Sequence, residues 1–162
     1  MNIIDIGAHK GETIDLFFNN FSISKILSFE ANPLISRKLE KIIKKDKYHN
    51  KINLINCGIG DKESSKNLII FNESSSSTFN SINKDSIYYK RKEKILSFLK
   101  FNKKDIQNKL EIKIYPLSYF KEVENFKKID ILKIDTEGYE LNILKGITQK
   151  HLKKNKYIYF EH

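Results

Sequence analysis

The chain has 162 residues, 40% of them apolar, which suits one folded domain with a real core and excludes a disordered chain. Its 30 Lys and Arg against 20 Asp and Glu give a formal net charge of +10, but the excess is spread along the whole sequence, its only arginines are Arg37 and Arg91, and no aromatic nucleic-acid motif accompanies it, so nucleic acid is set aside as a substrate. The single cysteine, Cys57, excludes an intramolecular disulfide and reads as a small core residue. The scattered His9, His49, His151 and His162 form no zinc pattern. No apolar run approaches the roughly 20 residues that cross a bilayer. Asp5 and two glycines interrupt the first apolar stretch where a signal peptide would continue, so a cytoplasmic protein is expected.

Residues 2–6 predict a first strand, and the segment from Gly11 to Asn20 predicts a helix with Ile14, Phe17 and Phe18 inward. Lys25 to Glu30 reads as a second strand. Pro33 suits the first turn of a helix running to about Lys45, with Leu34, Leu39, Ile42 and Ile43 inward. A third strand spans Ile52 to Asn56, followed by a turn at Gly58 and Gly60. The middle is less regular. Asn67 to Phe71 suggests an extra strand, Ser74 to Ser77 a loop, Ile87 to Lys109 a basic and partly helical stretch with Ile95, Leu96 and Leu99 on one face, Glu111 to Tyr115 a strand, and Leu117 to Phe126 a short helix. Regular alternation then resumes with a fourth strand at Ile129 to Asp135, a helix at Glu137 to Gly146 and a fifth strand at Tyr157 to Glu161. The pattern predicts one α/β domain, residues 1–162, with a mostly parallel sheet and a variable insert at residues 74–110.

The first strand runs into Gly7-Ala8-His9-Lys10-Gly11, and the second ends in Glu30-Ala31-Asn32. Gly7 permits a sharp turn and Gly11 a close helix start, as at the mouth of a nucleotide-binding sheet. The spacing is Gly-x-x-x-Gly, not the dinucleotide Gly-x-Gly-x-x-Gly, and Asp5 precedes it, where a carboxylate would repel a pyrophosphate. The arrangement suits a phosphate-free cation such as S-adenosylmethionine, with Asp5 facing its positive end and Glu30 accepting from its ribose hydroxyls.

Four blocks, Asp5-Ile-Gly-Ala-His-Lys-Gly11, Phe29-Glu-Ala-Asn-Pro33, Asn56-Cys-Gly-Ile-Gly-Asp61 and Leu132-Lys-Ile-Asp-Thr-Glu-Gly-Tyr-Glu140, together with the closing Phe160-Glu-His162, resemble the FkbM-type S-adenosylmethionine-dependent methyltransferases in order and over nearly the whole chain. The resemblance implies a Rossmann-like class I methyltransferase fold of three αβα layers. It also implies methyl transfer to an oxygen of a sugar, glycan or small metabolite. The cofactor-binding residues it implies are Asp5, Gly7, Ala8, His9, Gly11, Glu30, Ala31, Asn32, Gly58 and Asp135. Two features depart from the family pattern. His9 stands where an asparagine is expected, and the last two strands of a seven-stranded sheet, a hairpin beside strand five, are missing from the sequence.

Ile131, Lys133 and Asp135 share one face of the fourth strand. A lysine in a covered strand needs a carboxylate partner, and Asp135, Glu137 and Glu161 are the candidates. Asp135, at the strand's carboxyl end, or Glu137 serves as the base for an acceptor hydroxyl or positions one, and Lys133 completes the catalytic set. His162 is a weaker candidate. Asp135 and Glu137 alone do not define a metal site, so none is assigned. Tyr88, Tyr89, Lys90, Arg91 and Lys92 of the insert are candidate contacts for a sugar or an anionic carrier. An alternative reading is a catalytically inactive or truncated interaction module. The apolar edge of the fifth strand, Tyr157 to Phe160, then invites a homodimer. A nucleotide-binding oxidoreductase is disfavoured by the glycine spacing.

Overall fold

The computed structural model describes residues 1–46, 49–71, 77–79 and 106–160. Strands β1 (Asn2–Ile6), β2 (Lys25–Phe29) and β3 (Ile52–Ile55) are joined by helices α1 (Glu12–Asn20) and α2 (Pro33–Ile43). Short β4 (Gly58–Ile59) then leads to β5 (Ser64–Phe71), β6 (Ser77–Thr78) and β7 (Ile106–Tyr115). After α3 (Lys121–Asn125) come β8 (Ile129–Ile134), α4 (Glu140–Gly146), α5 (Gln149–Lys154) and β9 (Asn155–Phe160).

The main sheet is parallel with strand order β3-β2-β1-β8-β9. The chain winds outward from β1 to β3, then returns to the other side of β1 at β8. Strand order therefore reverses between β1 and β8, and a crevice opens beyond their carboxyl ends, where ligands of such sheets bind. Two cores cover the two faces, as strands carrying apolar residues on both of their sides require. Ile3, Ile14, Phe17, Ile26, Leu39 and Ile43 fill the face under α1 and α2, and Ile4, Ile6, Leu27, Phe29, Leu132, Ile134 and Ile143 fill the other. The expected α/β class, with helices on both faces of a mostly parallel sheet, is thus present.

Several local expectations need correction. In α2 the buried stripe is Ile35, Leu39 and Ile43, while Leu34 and Ile42 are exposed, because the repeat Ile35-Leu39-Ile43 sets the helix's phase. Phe18 is half-buried, beside buried Ile14 and Phe17. Gly58 begins a strand rather than a turn, since β4 pairs in parallel with β7. β7 is longer than Glu111 to Tyr115 and starts at Ile106, so residues 106–109, expected to close a basic helix, are strand paired antiparallel to β5. Ser77 belongs to β6, not to a loop. Residues 117–126 divide into a 3₁₀ turn, Leu117–Tyr119, and α3. Helix α5 was not expected. The remainder of the expected basic helix, Tyr88 to Lys92 among it, and Ser74, Glu161 and His162 lie outside the described residues.

β4, β5, β6 and β7 form a second sheet, β4-β7-β5-β6, beside the mouth of the first. Among the described residues β9 pairs with β8 alone and carries exposed Tyr157, Tyr159 and Phe160. No helix among the described residues is long and apolar enough to cross a membrane.

Candidate active site at the β1–β8 crevice

A cavity of about 280 Å³ opens at the switch point. Its size is close to that of small-ligand sites. It is lined by Gly7, Ala8 and His9 after β1, by Glu30 and Ala31 after β2, by Gly58 of β4, and by Lys133, Asp135 and Glu137 at the end of β8. These nine expected residues come together although they lie up to 130 positions apart in sequence (Gly7 to Glu137).

The glycine turn is forced by a close approach. Gly7 has φ +84°, and a Cβ there would lie 1.8 Å from the Asp135 carbonyl oxygen. The turn is therefore pressed onto the end of β8, which the Asp135 N–H to Ile6 carbonyl bond extends at 3.0 Å. His9 also takes a left-handed conformation, φ +48°. Asparagine adopts that conformation more readily than histidine. The His9 ring meets the Glu12 carboxylate at 3.1 Å, and its backbone N–H donates to Glu30 Oε2 at 2.8 Å.

Glu30 is 6% exposed, and its other oxygen accepts the Asn32 N–H at 2.8 Å. Two backbone donors thus fix the carboxylate at the cavity wall, leaving lone pairs on both oxygens for ligand hydroxyls. Burial pushes its carboxyl above the ordinary range, against the pull of those two N–H donors. Asn32 itself does not line the cavity. It caps α2, accepting from Leu34 N–H at 3.0 Å, and so fixes where β2 ends. Gly11 also lies outside the lining, as the left-handed residue before α1 (φ +93°), where a Cβ would meet Leu39 at 2.8 Å.

Asp5 requires the main correction. It is fully buried within β1 and does not line the cavity. Its immediate partner is Lys133, its register neighbour on β8, whose Nζ donates to Asp5 Oδ1 at 3.0 Å. The same ammonium donates to the Gly7 carbonyl at 3.0 Å and lies 3.4 Å from Asp135 Oδ2. Of the partners expected for Lys133, Asp135 is found and Glu161 lies outside the described residues, while Asp5, which was not among those expected, takes the leading place. Burial works against the Lys133 ammonium, but Asp5 and Asp135 outweigh it and hold its pKa above the usual value. Burial also raises the Asp5 carboxyl, with Lys133 opposing. Lys133 thus ties the glycine turn to the end of β8 and keeps Asp135, whose side chain is 38% exposed, at the cavity wall.

The strand-eight loop is unusual. Glu137 has φ +53° and Gly138 φ +99°. For a glutamate this conformation costs about 1–3 kcal/mol, so its surroundings must enforce it. Glu140 Oε1 accepts from Thr136 N–H at 2.8 Å, Thr136 Oγ1 at 3.0 Å and Gly138 N–H at 3.1 Å. Despite the burial that opposes it, these bonds hold the Glu140 carboxyl below its usual pKa.

Sequence reasoning missed Glu12, Thr136, Tyr139, Leu68 and Phe79 of the wall. Glu12 had a signal, being three residues after His9 at the start of a helix. Tyr139 packs on Phe79 with ring centroids 5.1 Å apart, and Lys66 Nζ lies 4.7 Å from its centroid. Those contacts join distant segments and have no local signature. Cys57 also lines the wall, with its thiol pushed up to about 12 by burial. Among the described residues no three His, Cys, Asp or Glu side chains gather as metal ligands do.

Glu12, Glu30, Asp135 and Glu137 give the cavity an acidic wall in a basic chain. Among the described residues Lys133 is the one Lys or Arg lining it, and its ammonium is engaged on Asp5, Gly7 and Asp135. A parallel sheet covered on both faces, with a carboxylate-lined cavity at its switch point, defines a Rossmann-like α/β domain. Its fold is similar to the crystal structure of a methyltransferase FkbM from Methylobacillus flagellatus KT, with a TM-score of 0.53 at 15% identity, the match covering 90% of this chain and 28% of that one. The chain belongs to the FkbM methyltransferase family, the methyltransferase FkbM domain matching residues 5–162. No curated protein matches the sequence.

Proposed function

We propose that the crevice binds S-adenosylmethionine and that the protein directs its methyl group to a hydroxyl of a sugar, glycan or small metabolite. The observation that carries the proposal is the acidic wall of Glu12, Glu30, Asp135 and Glu137 at the switch point, where Lys133, the one Lys or Arg lining the cavity among the described residues, is already engaged. Such a wall suits a ligand with a sulfonium and an ammonium and disfavours a pyrophosphate. Glu30, fixed by two backbone N–H groups with lone pairs left over, would accept from the ribose hydroxyls. When bound, the donor supplies an electrophilic methyl group on a positively charged sulfur.

The chain's residues then have two tasks. The turn at Gly7 and Ala8 lets the backbone approach the ligand closely, and the Asp135–Glu137 edge receives the acceptor. As the oxygen–carbon bond forms and the carbon–sulfur bond breaks, the acceptor's proton passes to Asp135 or Glu137, leaving an ether and a neutral thioether. Lys133 holds Asp135 in place during this exchange.

Calorimetric titration separates the alternatives. Binding of S-adenosylmethionine but not NAD supports the proposal, binding of NAD alone favours an oxidoreductase, and binding of neither favours a non-catalytic module. Label transfer from methyl-tritiated S-adenosylmethionine to a panel of saccharides then tests the acceptor class. Asp135→Ala is expected to lose turnover more than donor affinity, and equal turnover in that variant and the parent would remove Asp135 from the mechanism.

A further inference from the structure

The geometry points to Glu140 as the positioning residue that shapes the acidic edge of the cavity, acting through one oxygen on the loop from Asp135 to Tyr139. This rests on the proposed donor reading and names how that site is built. Glu140 does not line the cavity. All three of its bonds to the loop converge on Oε1, from Thr136 N–H, Thr136 Oγ1 and Gly138 N–H. The residues they clamp flank Glu137, which is left-handed at φ +53° and lines the cavity. Thr136, at one end of the clamp, and Tyr139, the residue just beyond its other end, line it too.

The physical logic is local. After β8 the chain must turn away from the sheet before α4 begins, and it does so through two successive residues with positive φ. A left-handed glutamate relaxes unless neighbouring bonds hold it. Bonds to a carboxylate are stronger than neutral ones, and two of these donors are backbone amides that lie two and four residues before Glu140. The clamp therefore sets the direction in which Asp135 and Glu137 present their carboxylates, without itself touching a ligand.

Because one oxygen does the work, Glu140→Gln keeps an acceptor in place, whereas Glu140→Ala removes it. Two measurements on the whole chain test this. The first is amide hydrogen exchange of the ligand-free protein. Thr136 and Gly138 are expected to be protected in the parent and in Glu140→Gln and to exchange rapidly in Glu140→Ala, with the amides of β1 and β8 unchanged as the control for folding. The second is the ratio of affinities for S-adenosylmethionine and S-adenosylhomocysteine, which differ in the sulfonium charge. Glu140→Ala is expected to lower that ratio about tenfold, because the carboxylates facing the charge are displaced, and Glu140→Gln to stay near the parent.

A general loss of structure would weaken both ligands alike and leave the ratio unchanged. The inference is overturned if Thr136 and Gly138 stay protected in Glu140→Ala, if the ratio is unchanged there, or if Glu140→Gln behaves like Glu140→Ala. A parent that binds neither ligand refutes the donor reading instead, and hydrogen exchange alone then decides whether Glu140 shapes the loop.

Discussion

Lys133→Met is the most informative single change in the core of the site. Methionine keeps much of the lysine's apolar stem and removes the ammonium. In the parent that ammonium lies 3.0 Å from Asp5 Oδ1, with side-chain exposures of 6% and 0% for the two residues. The other Asp5 oxygen, Oδ2, is buried without a hydrogen-bond partner. The substitution therefore strands a carboxylate with no counter-charge, and removing one partner of a buried pair costs about 3–5 kcal/mol. Against a typical stability of about 5–15 kcal/mol this is a large fraction. For a chain of this length it corresponds to a melting point lower by roughly 6–20 °C.

The pH dependence supplies a second signature. Burial already raises the Asp5 carboxyl above the ordinary aspartate range with Lys133 opposing it, so loss of Lys133 is expected to raise it further. A carboxyl raised on folding favours the folded state below its unfolded pKa, and that advantage is lost as pH rises through the folded value. The variant should therefore recover stability as pH falls from neutrality towards 4, narrowing its gap from the parent. Asp5→Asn in the Lys133→Met background removes the stranded charge and should restore most of the loss at pH 7. Urea denaturation followed by far-ultraviolet circular dichroism measures all three proteins. A Lys133→Met variant within 1 kcal/mol of the parent at pH 7, or a double variant no better than the single one, would refute the reasoning.

Gly7→Ala places a Cβ 1.8 Å from the Asp135 carbonyl oxygen at a φ of +84°, so β1 and β8 must part at their ends. A loss of roughly 2–4 kcal/mol is expected by thermal denaturation, combining overpacking with left-handed strain, and an unchanged melting point would contradict the close approach. Glu124 of α3 receives bonds from Lys150 and from His151 Nε2, the latter at 2.9 Å, and these hold its carboxyl down to about 2. A carboxyl lowered on folding stabilises above its unfolded pKa. The advantage of the parent over Glu124→Gln in melting point should therefore be present at pH 6 and shrink as pH falls from about 4.5 towards 2, and a constant difference would contradict it. β9 exposes Tyr157, Tyr159 and Phe160 at an edge where Lys156 is the one charged side chain among the described residues, so association with a second copy through this edge is proposed. Sedimentation velocity should show self-association that Tyr159→Lys weakens, and a parent that stays monomeric at high concentration removes the proposal.

The alternation of strands and helices was legible because each segment of the main sheet carries its own signal. β1, β2 and β8 are mostly apolar on both sides, Pro33 opens α2 behind Asn32, and glycine marks the turn after β1. The residues at the carboxyl ends of these strands could be placed on the cavity for the same reason. The partner of Lys133 could not, because Asp5 lies 128 positions away and the two meet only once β1 and β8 are known to be neighbours in register. The face of α2 is ambiguous in sequence because its five apolar positions, Leu34, Ile35, Leu39, Ile42 and Ile43, can be fitted to two helical phases, and packing of Leu39 and Ile43 in the core with Ile26, Ile52 and Leu54 selects the phase that buries Ile35. β7 was read short because its start, Ile106–Leu110, is rich in polar residues and is strand by virtue of pairing with β5. Glu140 was visible within a motif, yet its task depends on the left-handed turn at Glu137, which residue type does not reveal.

A crystal structure of the protein with S-adenosylmethionine tests the central claim most directly. The expected result is the ligand in the crevice between β1 and β8, its ribose hydroxyls within hydrogen-bond reach of Glu30 and its sulfonium end towards Asp135. Adenosine density elsewhere on the molecule, or a ribose that leaves Glu30 untouched, would contradict it.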